Sequence, residues 1–562
     1  MNKKLLFTLL VGSAVVLTGC NKKVAPFESN YFSVNPAPLE VKGKTVPGKV
    51  TGKIPAKVFQ KNAEITVTPI LNVNGVETAG QAYTYQGEKV RGNSPVISYK
   101  EGGSFVIPVE YAYTPGMEDA TLALKFDVTQ GKKQYALPNV TVAKGVNTTS
   151  TIADAATAST AIAPDKFQRI VSETYSANIN FLINKADIRD SEKTSESMLL
   201  FNQLVANASA DSTRQIKEIG IKSAASPEGG VEFNEKLAEK REKNTNDYLR
   251  KEFEKQNITN FGDIVGSFTA QDWEGFQKLV SESEIQDKEL ILSVLNMYED
   301  PEIREKEIRN MSEIFDQLSK EILPKLRYSR LSATVDVIGK SDEQIKEAFA
   351  NDPKSLTIDE LLYCASLTND NKEKINIYQA AANIYSDDYR AFNNLGACQF
   401  ADGNYTVAAE NLKKALSLNP SCGEANVNLG LISMLNNDFN NAKVQLGNAA
   451  GVAEAAEALG VYYLKNGDNQ VAVKAFGDTK SNNAALAQIL TKDYSKAKKT
   501  IAAINTPDAT THYIAAVLGA RTNNEALIVN SLKDAIKLDS SLLTKALKDP
   551  EFTNFNIASK IK

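Results

Sequence analysis

The chain has 562 residues, too many for one hydrophobic core, so three or four domains are expected. Composition is that of a folded, water-soluble polypeptide: 42% apolar, 23% charged, 64 basic against 68 acidic residues, net charge −4. That balance leaves no electrostatic footprint for nucleic acid, and a single histidine leaves little material for general acid–base chemistry.

The chain starts with a basic cluster, Met1-Asn2-Lys3-Lys4, followed by an apolar stretch over residues 5–17 that is too short to span a bilayer. It ends in Leu17-Thr18-Gly19-Cys20, which resembles the bacterial lipobox. The resemblance implies that residues 1–19 are a lipoprotein signal peptide and that Cys20 is lipidated. Several acyl chains, at roughly 0.8 kcal/mol per buried CH₂, anchor firmly. Asn21-Lys22-Lys23 follow, without the Asp associated with inner-membrane retention or the acidic cluster associated with surface export. The implied location is the outer membrane, lipid-anchored and facing the periplasm. Residues 20–48 contain Pro26, Pro36, Pro38 and Pro47 and are expected to form an extended tether.

Residues 49–146 are rich in Val, Thr, Ile and Tyr. Ala63-Glu64-Ile65-Thr66-Val67-Thr68 alternates apolar and polar. Asn74-Gly75 is a hairpin signal, and Gly102-Gly103, Pro115-Gly116 and Gln130-Gly131 mark later turns. An antiparallel β-sandwich, or two small ones, is expected, acting as a spacer or docking module. Residues 147–162 are rich in Ala, Thr and Ser and are expected to be a linker or loosely ordered connection.

Residues 163–339 turn to a β/α pattern. A strand at residues 176–183 precedes a helix near 195–206. A second strand, carrying Ile219 and Ile221, runs into the turn Ala224-Ala225-Ser226-Pro227-Glu228-Gly229-Gly230 and then a charged helix with Phe233 and Leu237 on one face. A short strand at 263–268, a long charged helix at about 301–322 and an alternating strand at 331–337 complete the segment. Trp273, the only tryptophan, is expected to anchor an inserted helix in the core rather than stack on a ligand.

The strand–turn–helix stretch resembles the signature of OmpA-like domains, which hold the outer membrane to peptidoglycan. In that family an Asp in the turn and an Arg on the helix grip diaminopimelate. Arg241 stands at the matching Arg position and Asn234 matches an Asn of the motif, but Ser226 occupies the Asp position. Glu228, two residues on, is the candidate substitute acid. The resemblance thus implies peptidoglycan as a partner, bound through Arg241, Ser226, Glu228 and Asn234. An Arg fork suits the carboxylate, and the second charge is open.

The last third is helical and repetitive. Leu395-Gly396, Leu429-Gly430 and Leu459-Gly460 recur, followed by Ala408, Leu412 and Ala415, by Ala442, Leu446 and Ala449, and by Ala472 and Phe476. Leu361, Tyr378 and Ala381 suggest a divergent repeat upstream; Tyr513, Ala526, Leu532 and Ala535 suggest one near the end. The pattern resembles the tetratricopeptide repeat, in which small residues let paired helices cross closely. Repeats are expected over residues 353–545, with a tail at 546–562. The resemblance implies a concave groove for an envelope protein partner, lined by Asn393, Phe400, Val427 and Met434.

Cys364, Cys398 and Cys422 form no CxxC and suit packing. The chain has no nucleophile elbow, P-loop, Rossmann fingerprint or HExxH, so no catalytic residues, metal or cofactor are expected. The fold class expected is multidomain: an all-β sandwich, an α/β (α+β) OmpA-like sheet-and-helix domain and an all-α tetratricopeptide superhelix. The order resembles lipoproteins common in Bacteroidota. Two functions are open: a non-enzymatic scaffold tethering outer membrane to wall while recruiting a partner, or an accessory subunit of an outer-membrane assembly or secretion machine that no longer binds the wall.

Overall fold

The structure is a computed structural model that describes residues 23–561. The expected signal peptide and the expected lipidation at Cys20 lie outside the described residues. No helix among these is long and apolar enough to cross a membrane. The chain forms two compact units. One joins the chain up to Pro164 with the chain from Thr368 onward; the other, Asp165–Leu367, is inserted between those pieces.

The first piece carries β1 (Phe32–Asn35), β2 (Leu39–Glu40), β3 (Thr45–Ile54), β4 (Ala63–Val73), β5 (Val76–Ala79), β6 (Tyr83–Gln86), β7 (Gly103–Ala112), β8 (Thr121–Gln130), β9 (Lys133–Lys144) and β10 (Val146–Asn147). One sheet runs β1-β3-β7 and a second runs β5-β4-β8-β9, with β6 also on β4. Period-two patterning makes the core. Phe105, Ile107, Val109 and Tyr111 point inward from β7, and Leu122, Leu124, Phe126 and Val128 from β8. Asn74 and Gly75 both adopt positive φ in the two-residue β4–β5 hairpin, as its twist requires.

The inserted unit is built on β11 (Ile170–Asn180), β12 (Arg214–Ala224), β13 (Asp263–Thr269) and β14 (Tyr328–Ile338), in the order β11-β14-β12-β13. β14 is antiparallel to both neighbours, and β13 is parallel to β12. After a single turn of helix, α1 (Asp190–Lys193), α2 (Glu196–Ala210) and α3 (Val231–Lys255) cover one sheet face. Phe201, Val205, Leu249 and Phe253 from these helices meet Ile179, Ile219, Ile221, Leu331 and Val335 from the sheet. Between β13 and β14, α4 (Trp273–Ser281), α5 (Lys288–Met297), α6 (Pro301–Asn310) and α7 (Ser312–Glu321) gather around a second core that includes Phe276, Ile291, Leu318 and Tyr328. The single helix expected at about 301–322 is therefore two. Met311 leaves helical geometry at ψ 70° and packs on this second core. Trp273 also lies against that core, half-buried and edge-on to Phe276. α8 (Asp342–Asn351) and α9 (Ile358–Ser366) complete the unit, each started by a capping box.

The remainder of the first unit is a helical array: α10 (Asn371–Ile384), α11 (Tyr389–Ala401), α12 (Tyr405–Leu418), α13 (Gly423–Leu435), α14 (Phe439–Gly447), α15 (Ala455–Lys465), α16 (Asn469–Phe476), α17 (Asn482–Leu490), α18 (Tyr494–Ala502), α19 (Ala509–Arg521), α20 (Glu525–Leu538) and α21 (Leu542–Lys548). From α11 onward they stack as pairs. Pair α17/α18 lacks a Leu-Gly and carries Leu486-Ala487 instead, which hides it from a search on that dipeptide. The segment expected to be a tail, residues 546–562, is part of the array as far as residue 561: Phe552, Ile557 and Ile561 are buried in its core.

Glycine marks where paired helices touch. A Cβ on Gly396 would lie 2.8 Å from Leu412, on Gly430 2.8 Å from Leu446, and on Gly460 2.5 Å from the Phe476 ring. Gly460→Val is expected to cost about 1–3 kcal/mol through overpacking. The measurement is a fall in urea midpoint at unchanged slope.

Candidate functional site

Residues 149–164 form an ordered strap along the groove of the array rather than the expected linker. The strap opens with two short 3-10 turns, Thr149–Ile152 and Ala155–Thr157, and continues extended. Three asparagines each hold one strap residue by both its main-chain groups. Ala163 N–H donates to Asn394 Oδ1 at 2.7 Å, and Asn394 Nδ2 donates to the Ala163 carbonyl at 3.0 Å. Asn428 does the same to Ala161 at 2.8 Å in both directions. Asn483 holds Asp154 at 3.0 and 2.9 Å. Between them, Ser159 N–H donates to Glu457 Oε2 at 3.1 Å.

A side-chain amide placed this way offers what a neighbouring β-strand would offer, an acceptor and a donor side by side. The clamps come from the first helices of successive pairs, α11, α13, α15 and α17, so the strap runs against the order of the array. Lys465 Nζ donates to the Ala153 carbonyl at 3.1 Å; burial lowers its pKa, and Asp154 opposes that shift.

Of the expected groove residues, Asn393 reaches the strap, its Nδ2 donating to the Ala161 carbonyl at 3.1 Å. Phe400, Val427 and Met434 are buried in the apolar cluster that also contains Ala153, Ala155, Ala158 and Ala161 of the strap. The expectation missed Asn394, Asn428, Glu457 and Asn483. A signal for the first two was present: Asn-Leu-Gly occurs at Asn394-Leu395-Gly396 and again at Asn428-Leu429-Gly430.

The strap is pinned where it leaves the β-sheets. Glu551 Oε1 accepts from Asn147 Nδ2 and Thr149 Oγ1, each at 2.7 Å, and from Arg521 Nη2 at 2.7 Å. Arg521 also reaches Glu40 at 3.0 Å. Burial alone pulls the Arg521 pKa down, but the bonds and charge of Glu551, then of Glu40, hold it above its ordinary value.

The turn-and-helix motif of the inserted unit is a second, separate cluster. Arg241 projects inward from α3 and is fully buried. Its guanidinium donates to three main-chain carbonyls: Ala224 at 2.8 Å, Lys185 at 3.0 Å and Leu182 at 3.2 Å. The Phe181 ring lies 5.0 Å from its centre. Burial pushes its pKa down to about 10; nearby Arg327 adds to the fall and Glu228 opposes it. The group stays cationic at neutral pH, neutralised mainly by carbonyl dipoles.

Ser226 and Glu228 do not face Arg241 as a ligand pair. Ser226 Oγ donates to Glu228 Oε1 at 2.8 Å, and the same oxygen lies 2.7 Å from Arg327 Nη2. Asn234 Nδ2 ties the turn shut, donating to the Ser226 and Gly229 carbonyls at 3.0 and 2.8 Å. Gln271 and Arg309 hold the Gly229 and Glu228 carbonyls in addition. Each of the four motif side chains thus has an internal partner.

No group of three or more His, Cys, Asp or Glu side chains among the described residues could hold a metal ion. Burial raises the Cys398 and Cys422 thiols to about 11, which keeps them protonated and unreactive at neutral pH.

No protein-family model matches the chain, and no curated protein matches it. Solved structures resemble it at low identity. A tetratricopeptide repeat protein from Parabacteroides merdae is 13% identical over 37% of this chain and 90% of its own, with a TM-score of 0.29. PilF of Pseudomonas aeruginosa is 15% identical over 38% and 99%, TM-score 0.28. Yeast Tom70 is 13% identical over 58% and 77%, TM-score 0.26. In the chain itself the C-terminal helices pack in successive pairs, Leu395-Gly396, Leu429-Gly430 and Leu459-Gly460 recur at spacings of 34 and 30 residues, and these glycines lie at the crossings, a pattern that resembles the tetratricopeptide repeat.

Proposed function

We propose that this protein is a non-enzymatic scaffold of the cell envelope that engages a protein partner through its repeat array. The observation that carries this reading is the groove itself. It is built to hold an extended main chain, by three asparagine amide clamps and the Glu457 carboxylate on four successive helix pairs. The lipobox ending in Cys20 supports anchorage in the outer membrane with the folded units in the periplasm. Chemical crosslinking of the intact protein in whole cells tests the reading. A discrete adduct with another envelope protein is expected; a chain that stays uncrosslinked at every spacer length would overturn it.

Within this scaffold, the inserted unit keeps the strand, turn and helix of an OmpA-like domain but uses Arg241 as an internal brace. Its complete burial and three carbonyl partners favour the machine-subunit reading over wall tethering. In sedimentation with purified sacculi the wild-type protein is expected to stay in the supernatant. Pelleting that a diaminopimelate-containing peptide competes away would restore the wall tether.

A further inference from the structure

The strap is held almost wholly by its main chain. Asn394, Asn428 and Asn483 each take an N–H and a carbonyl, and Glu457 takes an N–H. Thr157 contributes one side-chain oxygen, to Asn483 at 3.1 Å. Selection enters through size. Ala153, Ala155, Ala158, Ala161 and Ala163 are buried against the helices, while Ser159 and Ile162 are exposed. A surface that clamps peptide groups and admits only small inward side chains does not read one sequence. It reads any extended segment with alanine-sized residues at the inward positions.

We propose that the groove of α11, α13, α15 and α17 is a receptor for extended alanine-, serine- and threonine-rich segments. Residues 153–163 are its intramolecular ligand, and a partner protein docks by presenting a segment of the same chemistry in their place. This rests on the reading of the array as a partner-binding scaffold and adds its ligand and its regulation. The strap is continuous with folded chain on both sides, so its effective concentration at the groove is of millimolar order, and a free segment of micromolar affinity is held off. Opening asks only that a short segment of two 3-10 turns and extended chain lifts away. The resting protein is therefore closed to weak encounters and open to a partner that first loosens the strap.

A fluorescein-labelled peptide with the sequence of residues 152–165 is the probe, read by anisotropy on the full-length protein. The control peptide carries arginine at the positions of Ala158 and Ala161. Ala158→Arg in the protein places a long cation where the strap is buried and drives the strap out. This variant is expected to bind the probe at least about tenfold tighter than wild type, and adding Asn428→Ala is expected to reverse most of the gain. The proposal is overturned if the variant keeps wild-type helicity and melting behaviour yet does not bind, or binds probe and control alike. Ala161→Val, a milder strain, carries the same test should Ala158→Arg fail to fold: a smaller gain supports the proposal and none refutes it. A crosslinked envelope adduct without probe binding removes this inference and leaves the scaffold standing. Probe binding without any adduct removes the scaffold reading and, with it, the docking partner, leaving only the groove's affinity for its own strap.

Discussion

Arg241→Ala is expected to destabilise the inserted unit by about 3 kcal/mol, since a buried carbonyl left without a donor costs roughly 1–3 kcal/mol. The guanidinium donates to three carbonyls: Ala224 at the end of β12, and Leu182 and Lys185 in the loop after β11, of which Leu182 also accepts from the Lys185 N–H. A cavity under Phe181 adds to the loss. Arg241→Lys keeps the charge but not the fork, so it recovers one bond at most and falls between. The measurement is the unfolding transition of the inserted unit in urea, followed by near-ultraviolet circular dichroism through Trp273. A loss below about 1 kcal/mol would mean that the side chain does not brace the loop, and Arg241 would again be available to a carboxylate ligand.

Glu551→Ala is expected to cost the other unit about 3–5 kcal/mol, the penalty for removing one member of a buried charged network. The carboxylate is 4% exposed, and its Oε1 serves Arg521, Asn147 and Thr149 together. Without it, Arg521 keeps only Glu40, and Asn147 of β10 and Thr149 of the strap each lose a bond. Glu551→Gln retains an acceptor oxygen and is expected to lose less than half as much. A double-mutant cycle with Asn147→Ala should return a coupling of about 0.5–3 kcal/mol. Additivity would show that the network does not join strap and array.

Much of this architecture was legible because side-chain period and turn chemistry are local. The alternation of Ile65 and Val67 announced β4, Asn74-Gly75 announced its hairpin, and the Leu-Gly spacing announced the helix pairs. The strap was not legible for a physical reason. Alanine, serine and threonine suit a mobile linker because they bury little, and suit a narrow groove because they fit. Composition cannot separate the two; only the asparagines hundreds of residues downstream do. Arg241 poses the same difficulty. A ligand-binding and a bracing arginine have one identity, and what divides them is whether carbonyls from the loop after β11 close over the guanidinium.

The larger unit is made of two stretches separated in the chain by the whole of Asp165–Leu367. As the polypeptide emerges from N- to C-terminus, the strap appears long before the helices that hold it. More than two hundred residues lie between Ala163 and Asn394, and between Ala161 and Asn428. Closing a loop of that length carries a large entropy cost if the intervening chain is unfolded, and that cost grows only slowly with length. A folded insert replaces the loop with one rigid body and reduces the cost to two short junctions. The expected order is therefore insert first, helical array second and strap docking last, making the final step the slow, non-local one. A chain truncated before α11 would carry its strap unpartnered, as an adhesive strip of bare main chain.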